Sequence, residues 1–260
     1  MTEAIRVEAL TKKFGATAAV DGVSFNVPKG EFFGFLGPNG AGKTTTMRML
    51  ATLLRPSSGK AWVHGFEISQ NPDGVRRSIG FAMQAVTLDP LATAWENLLL
   101  LGVLYGLSRK EAHQRGSELL ELMQLTKVAD SWIKNYSGGM RRRLDLAAVL
   151  MHKPEVLFLD EPTEGLDPAG RRVIWDYLKK LNEGGTTIFL TTHYMDEADY
   201  LCERISIIDK GKLVVTESPK KLKEKVGGTL DDVFIHYTGH RIQDEGLNPK
   251  AADPYTQINT

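Results

Sequence analysis

The chain has 260 residues, long enough for one α/β domain and short for two. Lys+Arg and Asp+Glu balance at 32 each, so no basic surplus argues for a nucleic-acid partner. One cysteine, Cys202, excludes an intramolecular disulfide, and with no motif around it the thiol reads as buried or idle. The first residues, MTEAIRVEALTKK, lack an apolar signal core. The longest apolar run, LLLLGVLYGL at 98–107, is too short to cross a bilayer. A soluble chain is expected, with any membrane role borrowed from a partner.

IRVEALTKKF and VDGVSFNVPKG alternate apolar and polar residues and break at Gly and Pro, which predicts antiparallel strands. EFFGFLG at 31–37 is nearly continuous in apolar residues, as a strand buried on both faces requires. From Lys43 the period changes: Met47, Leu50, Ala51 and Leu54 share one helical face, and RPSSG ends the helix. KAWVHGF and RSIGFAMQ read as a short β segment. Residues 89–132 read as helical throughout, with Ser108 as an N-cap. A helix follows SGG, then a strand at EVLFLDEP, a helix over 168–182 and a strand at TTIFLTTH. RISIIDKGKLVVTE predicts a hairpin turned at Asp209–Gly211. The last twenty or so residues are polar and aperiodic and read as loose.

GPNGAGKT, running Gly37, Pro38, Asn39, Gly40, Ala41, Gly42, Lys43, Thr44 and followed by Thr45, is a complete phosphate loop between a strand and a helix. Its glycines let backbone N–H groups converge on phosphates, and the helix N-terminus adds partial positive charge. Lys43 suits the β- and γ-phosphates and Thr44 a Mg²⁺ ion. Asp160 and Glu161 close the EVLFLDEP strand. Adjacent strand residues point to opposite faces, so Asp160 suits the metal while Glu161 suits the attacking water as base or orienting group. YSGGMRRR at 136–143 is a second phosphate-site pattern, a hydroxyl and two glycines at a helix start.

These motifs, in this order over residues 5–238, resemble an ATP-binding cassette (ABC) ATPase, the motor subunit of ABC transporters. GPNGAGKT resembles the Walker A loop and VLFLDEP the Walker B strand with its catalytic glutamate. Gln84 resembles the glutamine between metal and transporter-facing domain, and Ser137, Gly138 and Gly139 the family signature. Gly165 to Pro168, with Asp167, resembles the D-loop, and His193 the switch histidine. Phe14 lies where an aromatic usually stacks on adenine; a half-buried strand residue is the other reading. The resemblance implies an α/β fold with a P-loop NTPase core, an antiparallel β subdomain and an α-helical subdomain inserted at about 85–155. The cassette would span 1–238, with a polar tail at 239–260.

The resemblance also implies ATP and Mg²⁺ as ligands and head-to-tail packing of two cassettes, so that Ser137, Gly138, Gly139 and Asp167 act on the nucleotide of the second subunit. One cassette per chain makes a homodimer the simplest partner, with a separate integral membrane permease. The signature departs from the commonest form at Tyr136 and at Met140, which lacks an amide for the nucleotide. Arg141 to Arg143 oppose the helix dipole and read either as sensors of phosphate or a partner loop, or as a solvated basic face. The run at 98–107 reads as helical-insertion core or as part of a permease socket. KKLKEK at 220–225 reads as a solvated helix face rather than a lipid contact, and His236 and His240 as surface histidines rather than metal ligands. YSGGMRRRLDLA and LDDVFIHYTGH resemble the branch that exports daunorubicin-type drugs, polyketides and nodulation factor. An importer motor and a soluble non-transport ABC protein stay open beside the exporter.

Overall fold

The computed structural model describes residues 3–82 and 88–239. Its centre is a sheet in the order β10 (Lys212–Glu217), β9 (Arg204–Asp209), β3 (Phe32–Leu36), β8 (Thr187–Thr192), β7 (Val156–Asp160), β6 (Ile79–Ala82). All neighbours run parallel except β9 and β10, which form the expected hairpin. A second sheet, β2 (Thr17–Pro28), β1 (Glu3–Phe14), β4 (Ser58–Val63) and β5 (Phe66–Glu67), is antiparallel.

Strand alternation divides the core. Phe33 and Phe35 of β3 point to the antiparallel sheet, where Phe189 of β8 sits with its ring centroid 5.4–5.9 Å from Phe25, Phe33, Phe35 and Phe158. Phe32 and Leu36 point the other way, into a larger cluster with Leu157, Leu159, Ile188 and Leu190 beneath the helices. All of these residues are buried, which is why β3, β7 and β8 are continuous apolar runs.

The helical region comprises α3 (Ala94–Leu104), α4 (Arg109–Leu122), two short 3₁₀ turns and α5 (Gly138–Val149). Thr93 with Glu96, and Ser108 with Glu111, form reciprocal capping boxes. Each such cap is worth about 1 kcal/mol. Residues 89–132 are therefore not helical throughout: 89–93 precede the first helix, and a turn at 105–108 and a 3₁₀ turn at Thr126–Val128 interrupt the rest. Two further readings are corrected. KAWVHGF and RSIGFAMQ do not belong to one β segment: β4 lies in the antiparallel sheet, while Ile79–Ala82, β6, pairs in parallel with β7 as the edge of the central sheet. A helix, α2 (Pro72–Ser78), capped by Asn71 with Pro72 in its first turn, precedes it and was not anticipated.

Helix α1 (Lys43–Leu50) follows the loop after β3, and α6 (Pro168–Glu183) follows β7. α7 (Met195–Leu201) follows β8, and α8 (Pro219–Val226) and α9 (Leu230–Thr238) complete the described chain. Three of the four lysines of α8 are used within the chain: Lys223 pairs with Asp199 of α7, Lys221 with Glu217, and Lys225 lies over the Tyr237 ring. No helix among the described residues is long and apolar enough to cross a membrane. The 98–107 run divides between its two readings: Leu98 and Gly102 are buried, while Leu100, Val103, Leu104 and Tyr105 are exposed. The tail from His240 onward lies outside the described residues.

Candidate nucleotide site

The carboxyl ends of three adjacent parallel strands carry the candidate residues to one crevice. The 37–44 loop leaves β3, His193 follows β8, and Asp160 closes β7 with Glu161 next. Open α/β sheets bind ligands in this position. The loop depends on its glycines. Gly42 takes φ +108°, and a Cβ there would stand 2.5 Å from the Ala19 carbonyl oxygen. Gly40 also takes positive φ, +77°, but a Cβ there would meet nothing among the described residues.

Lys43 is almost fully buried. Its ammonium donates to the carbonyls of Gly37 at 2.8 Å and Pro38 at 3.2 Å and lies 3.3 Å from Glu161 Oε1. The Thr44 hydroxyl donates to Asp160 Oδ1 at 3.2 Å, and the Thr191 hydroxyl donates to the same oxygen at 2.5 Å. A cleft of about 270 Å³ opens above the loop, lined by Pro38, Asn39, Gly40, Thr45 and Glu161 with Gly42, Lys43 and Thr44. Ala41 is buried beneath it.

Glu161 has φ +48°, rare for a residue with a side chain. Such strain costs about 1–3 kcal/mol and persists only where surroundings impose it. Its N–H donates to the Thr191 carbonyl at 3.1 Å, which fixes the peptide to β8. Its other carboxylate oxygen, Oε2, lies 3.3 Å from His193 Nδ1, an ion-pair distance without the alignment of a good hydrogen bond. Burial pushes the Glu161 carboxyl up, but contact with His193 and the charge of Lys43 outweigh it, so the group sits below the ordinary glutamate range. Asp160 and Glu161 do take different partners. The chain leaves the extended conformation between them, so strand alternation is not the whole reason.

The remaining candidates lie elsewhere. Phe14 is half exposed at the β1–β2 turn, with the Lys12 ammonium 5.2 Å from its ring centre. Ser137, Gly138, Gly139 and Asp167 do not line the Lys43 cleft. Ser137 caps α5, its oxygen accepting from Met140 N–H at 3.2 Å, and its own proton remains available to donate. Asp167 caps α6 through Gly170 N–H. Gln84 lies outside the described residues.

All three arginines after the signature donate to carbonyls of their own chain, and Arg142, being buried, is no part of a solvated basic face. Arg141 donates to Tyr136 and Lys134, Arg143 to Met123, and Arg142 to Asp160, Glu161 and Pro162. Tyr136 fills the core and its hydroxyl donates to the Val128 carbonyl at 2.6 Å, which accounts for an aromatic at that position. Sequence reasoning also missed Glu197. It is fully buried, and its Oε1 accepts from the Thr163 hydroxyl at 2.8 Å and the Trp175 indole at 2.9 Å. It thereby joins the turn after β7, α6 and the segment after His193. Burial raises its pKa against those hydrogen bonds.

The residues present fit a nucleotide and a magnesium ion. Loop amides at a helix start with a buried lysine suit phosphate. Among the described residues no cluster of three His, Cys, Asp or Glu could hold a metal alone. Among the described residues the Thr44 hydroxyl and the Asp160 carboxylate are the hard-oxygen groups brought together here, which matches an ion completed by water and substrate phosphates.

Residues 20–164 match the family model described as ABC transporter. The chain is 46% identical over 246 residues to the daunorubicin/doxorubicin resistance ATP-binding protein DrrA of Streptomyces peucetius, covering 95% of this chain and 74% of that one. It is 44% identical to the linearmycin resistance ATP-binding protein LnrL of Bacillus subtilis, over 94% of this chain and 77% of that one. It is 43% identical to the Nod factor export ATP-binding protein I of Ralstonia nicotianae, over 90% and 73%. Among solved structures, an ATP-binding subunit of an ABC transporter superposes with a TM-score of 0.82 at 26% identity, covering 90% of this chain and 99% of that one. The cassette MJ0796, solved as a dimer bound to ADP and Pi, gives a TM-score of 0.75 at 31% identity, over 82% and 98%. Fold, motif order and these similarities agree: the chain belongs to the ATP-binding cassette family of ABC transporters.

Proposed function

We propose that this chain is the ATP-hydrolysing motor subunit of an ABC exporter of drugs or other amphipathic small molecules, driving a separate membrane permease from the cytoplasmic face of the membrane. The observation that carries the reading is the contact of Lys43, Glu161 and His193 over the phosphate loop, beside the Thr44–Asp160 pair. The relatives named for drug resistance and Nod factor export support the exporter branch.

In this reading the loop amides and Lys43 bind the β- and γ-phosphates. The three protons of Lys43 already face two carbonyls and Glu161, so phosphate binds by exchange, and the exchange releases Glu161 toward the attacking water. Glu161 orients or deprotonates that water, and His193 contacts the γ-phosphate. Thr44, Asp160 and Gln84 would hold Mg²⁺, whose charge neutralises the phosphate oxygens. Because Ser137, Gly138, Gly139 and Asp167 do not line the Lys43 cleft, they are read as serving the ATP of a second, identical subunit. ATP then closes the dimer and hydrolysis reopens it. A near-complete reversal of that equilibrium needs about 5.5 kcal/mol of differential binding, within reach of two γ-phosphates held by charge-assisted hydrogen bonds. The exposed face of α3, Leu100 with Leu104 and Tyr105, is the apolar surface we assign to the permease. Glu161→Gln should bind MgATP with near-native affinity and hydrolyse it about 10²–10⁴-fold more slowly, as expected for a lost base; normal turnover would remove Glu161 from this role.

A further inference from the structure

We propose that Arg142 is a positioning residue for Glu161, and that it ties the conformation of the Glu161 loop to the signature helix α5. The proposal rests on the reading of Glu161 as the hydrolysing carboxylate.

Arg142 sits five residues after Ser137 and is buried, only 7% exposed. Its Nε donates to the Pro162 carbonyl at 2.8 Å, and its Nη2 reaches the carbonyls of Asp160 at 3.2 Å and Glu161 at 3.4 Å. Its Nη1 lies 3.5 Å from Asp145 Oδ2, one turn along the same helix. The three carbonyls are consecutive and bracket Glu161. A guanidinium is planar and its donors form a fixed fork, so it sets the mutual orientation of the groups it binds. Gluing α5 to β7 alone would not require a charge, since apolar packing of similar volume does that as well.

The Glu161 peptide is thus held from two sides. Thr191 on β8 accepts its N–H, and Arg142 on α5 engages the carbonyls around it. Between these anchors the residue keeps φ +48°. With the Arg142 anchor gone, Glu161 is free to relax toward negative φ, which swings its carboxylate away from Lys43 and His193. The same side chain gives α5 a rigid link to the site. A shift of the Ser137–Gly139 turn, which the proposed function places on a second subunit's nucleotide, reaches the carboxylate of its own chain through Arg142.

The test uses the full chain with Arg142→Met, Arg142→Lys and Glu161→Gln. Nucleotide affinity, kcat and KM for MgATP, and melting temperature are measured for each. A misplacement of about 1 Å costs on the order of 100-fold in rate, so Arg142→Met should lose about that much kcat with ATP affinity close to native. Arg142→Lys keeps the charge beside Asp145 but has no fork, and should fall between wild type and Arg142→Met in kcat while melting near the wild type. If Arg142→Met does not fold, Arg142→Lys decides alone. Native kcat in a folded Arg142 variant, beside a Glu161→Gln protein that no longer turns over, overturns the positioning role and leaves the proposed function intact. Native turnover by Glu161→Gln overturns both.

Discussion

Substituting alanine at Gly42 and at Gly40 separates backbone strain from collision within one loop. Both residues have positive φ, which costs an L-residue about 1–2 kcal/mol. At Gly40 that is the whole cost, because nothing among the described residues lies within 4 Å of the added Cβ. At Gly42 the Cβ stands 2.5 Å from the Ala19 carbonyl oxygen, roughly an ångström short of ordinary contact. Relieving such overpacking costs about 1–3 kcal/mol more. Gly42→Ala should therefore lose about 2–5 kcal/mol and Gly40→Ala about 1–2. For a chain of this size each kcal/mol lowers the melting temperature by about 2–4 °C, so differential scanning calorimetry distinguishes them. Gly42 is also the residue before Lys43, and its displacement moves the N-terminus of α1. ATP affinity should fall more in Gly42→Ala than in Gly40→Ala. Equal melting temperatures and equal affinities in the two variants would refute the reasoning.

Three further outcomes are expected. Phe14→Ala should weaken ATP binding by about 0.5–1.5 kcal/mol and Phe14→Trp should not, if the half-exposed ring stacks on adenine; an unchanged dissociation constant in Phe14→Ala assigns the ring another role. Thr44→Val removes the hydroxyl beside Asp160 and should raise the Mg²⁺ concentration needed for half-maximal hydrolysis, with a metal titration as the check. Glu197 has a folded pKa raised above the unfolded value of 4.5, so the folded protein binds its proton more tightly than the unfolded chain does. The stability this adds is full below about pH 4.5 and is lost as pH rises through the folded value. Glu197→Gln cannot titrate, so its melting temperature should gain on the wild type between pH 4.5 and 7; a gap that does not change with pH contradicts a raised pKa.

What was legible in the sequence follows from locality. The phosphate loop, the DE pair after a buried strand and the Ser-Gly-Gly cap are each specified by residues within a few positions, because turn geometry, capping and strand burial are local demands. Strand order is not local. β4 and β6 read as one short β segment when only neighbouring residues are weighed, yet they lie in different sheets, and the partner of β6, β7, lies more than seventy residues on. α2 carries a readable local signal, Asn71 as N-cap before Pro72, but at seven residues it is too short to show a helical period. Arg142 and Glu197 were not legible at all. A charged residue in a polar stretch reads as solvated, and only the packed fold shows that consecutive carbonyls await one of them and a buried hydroxyl and indole the other. The same rule explains the 98–107 run, where apolar composition marks the helix but not which of its faces is covered.

The measurement that tests the account most directly is the mass of Glu161→Gln in solution by light scattering, with and without MgATP. The account predicts a monomer that becomes a dimer only when MgATP is present, because the Ser137–Gly139 turn of one copy closes on the nucleotide held by the Lys43 loop of another. A protein that binds MgATP tightly and stays monomeric would contradict closure between two copies of this chain.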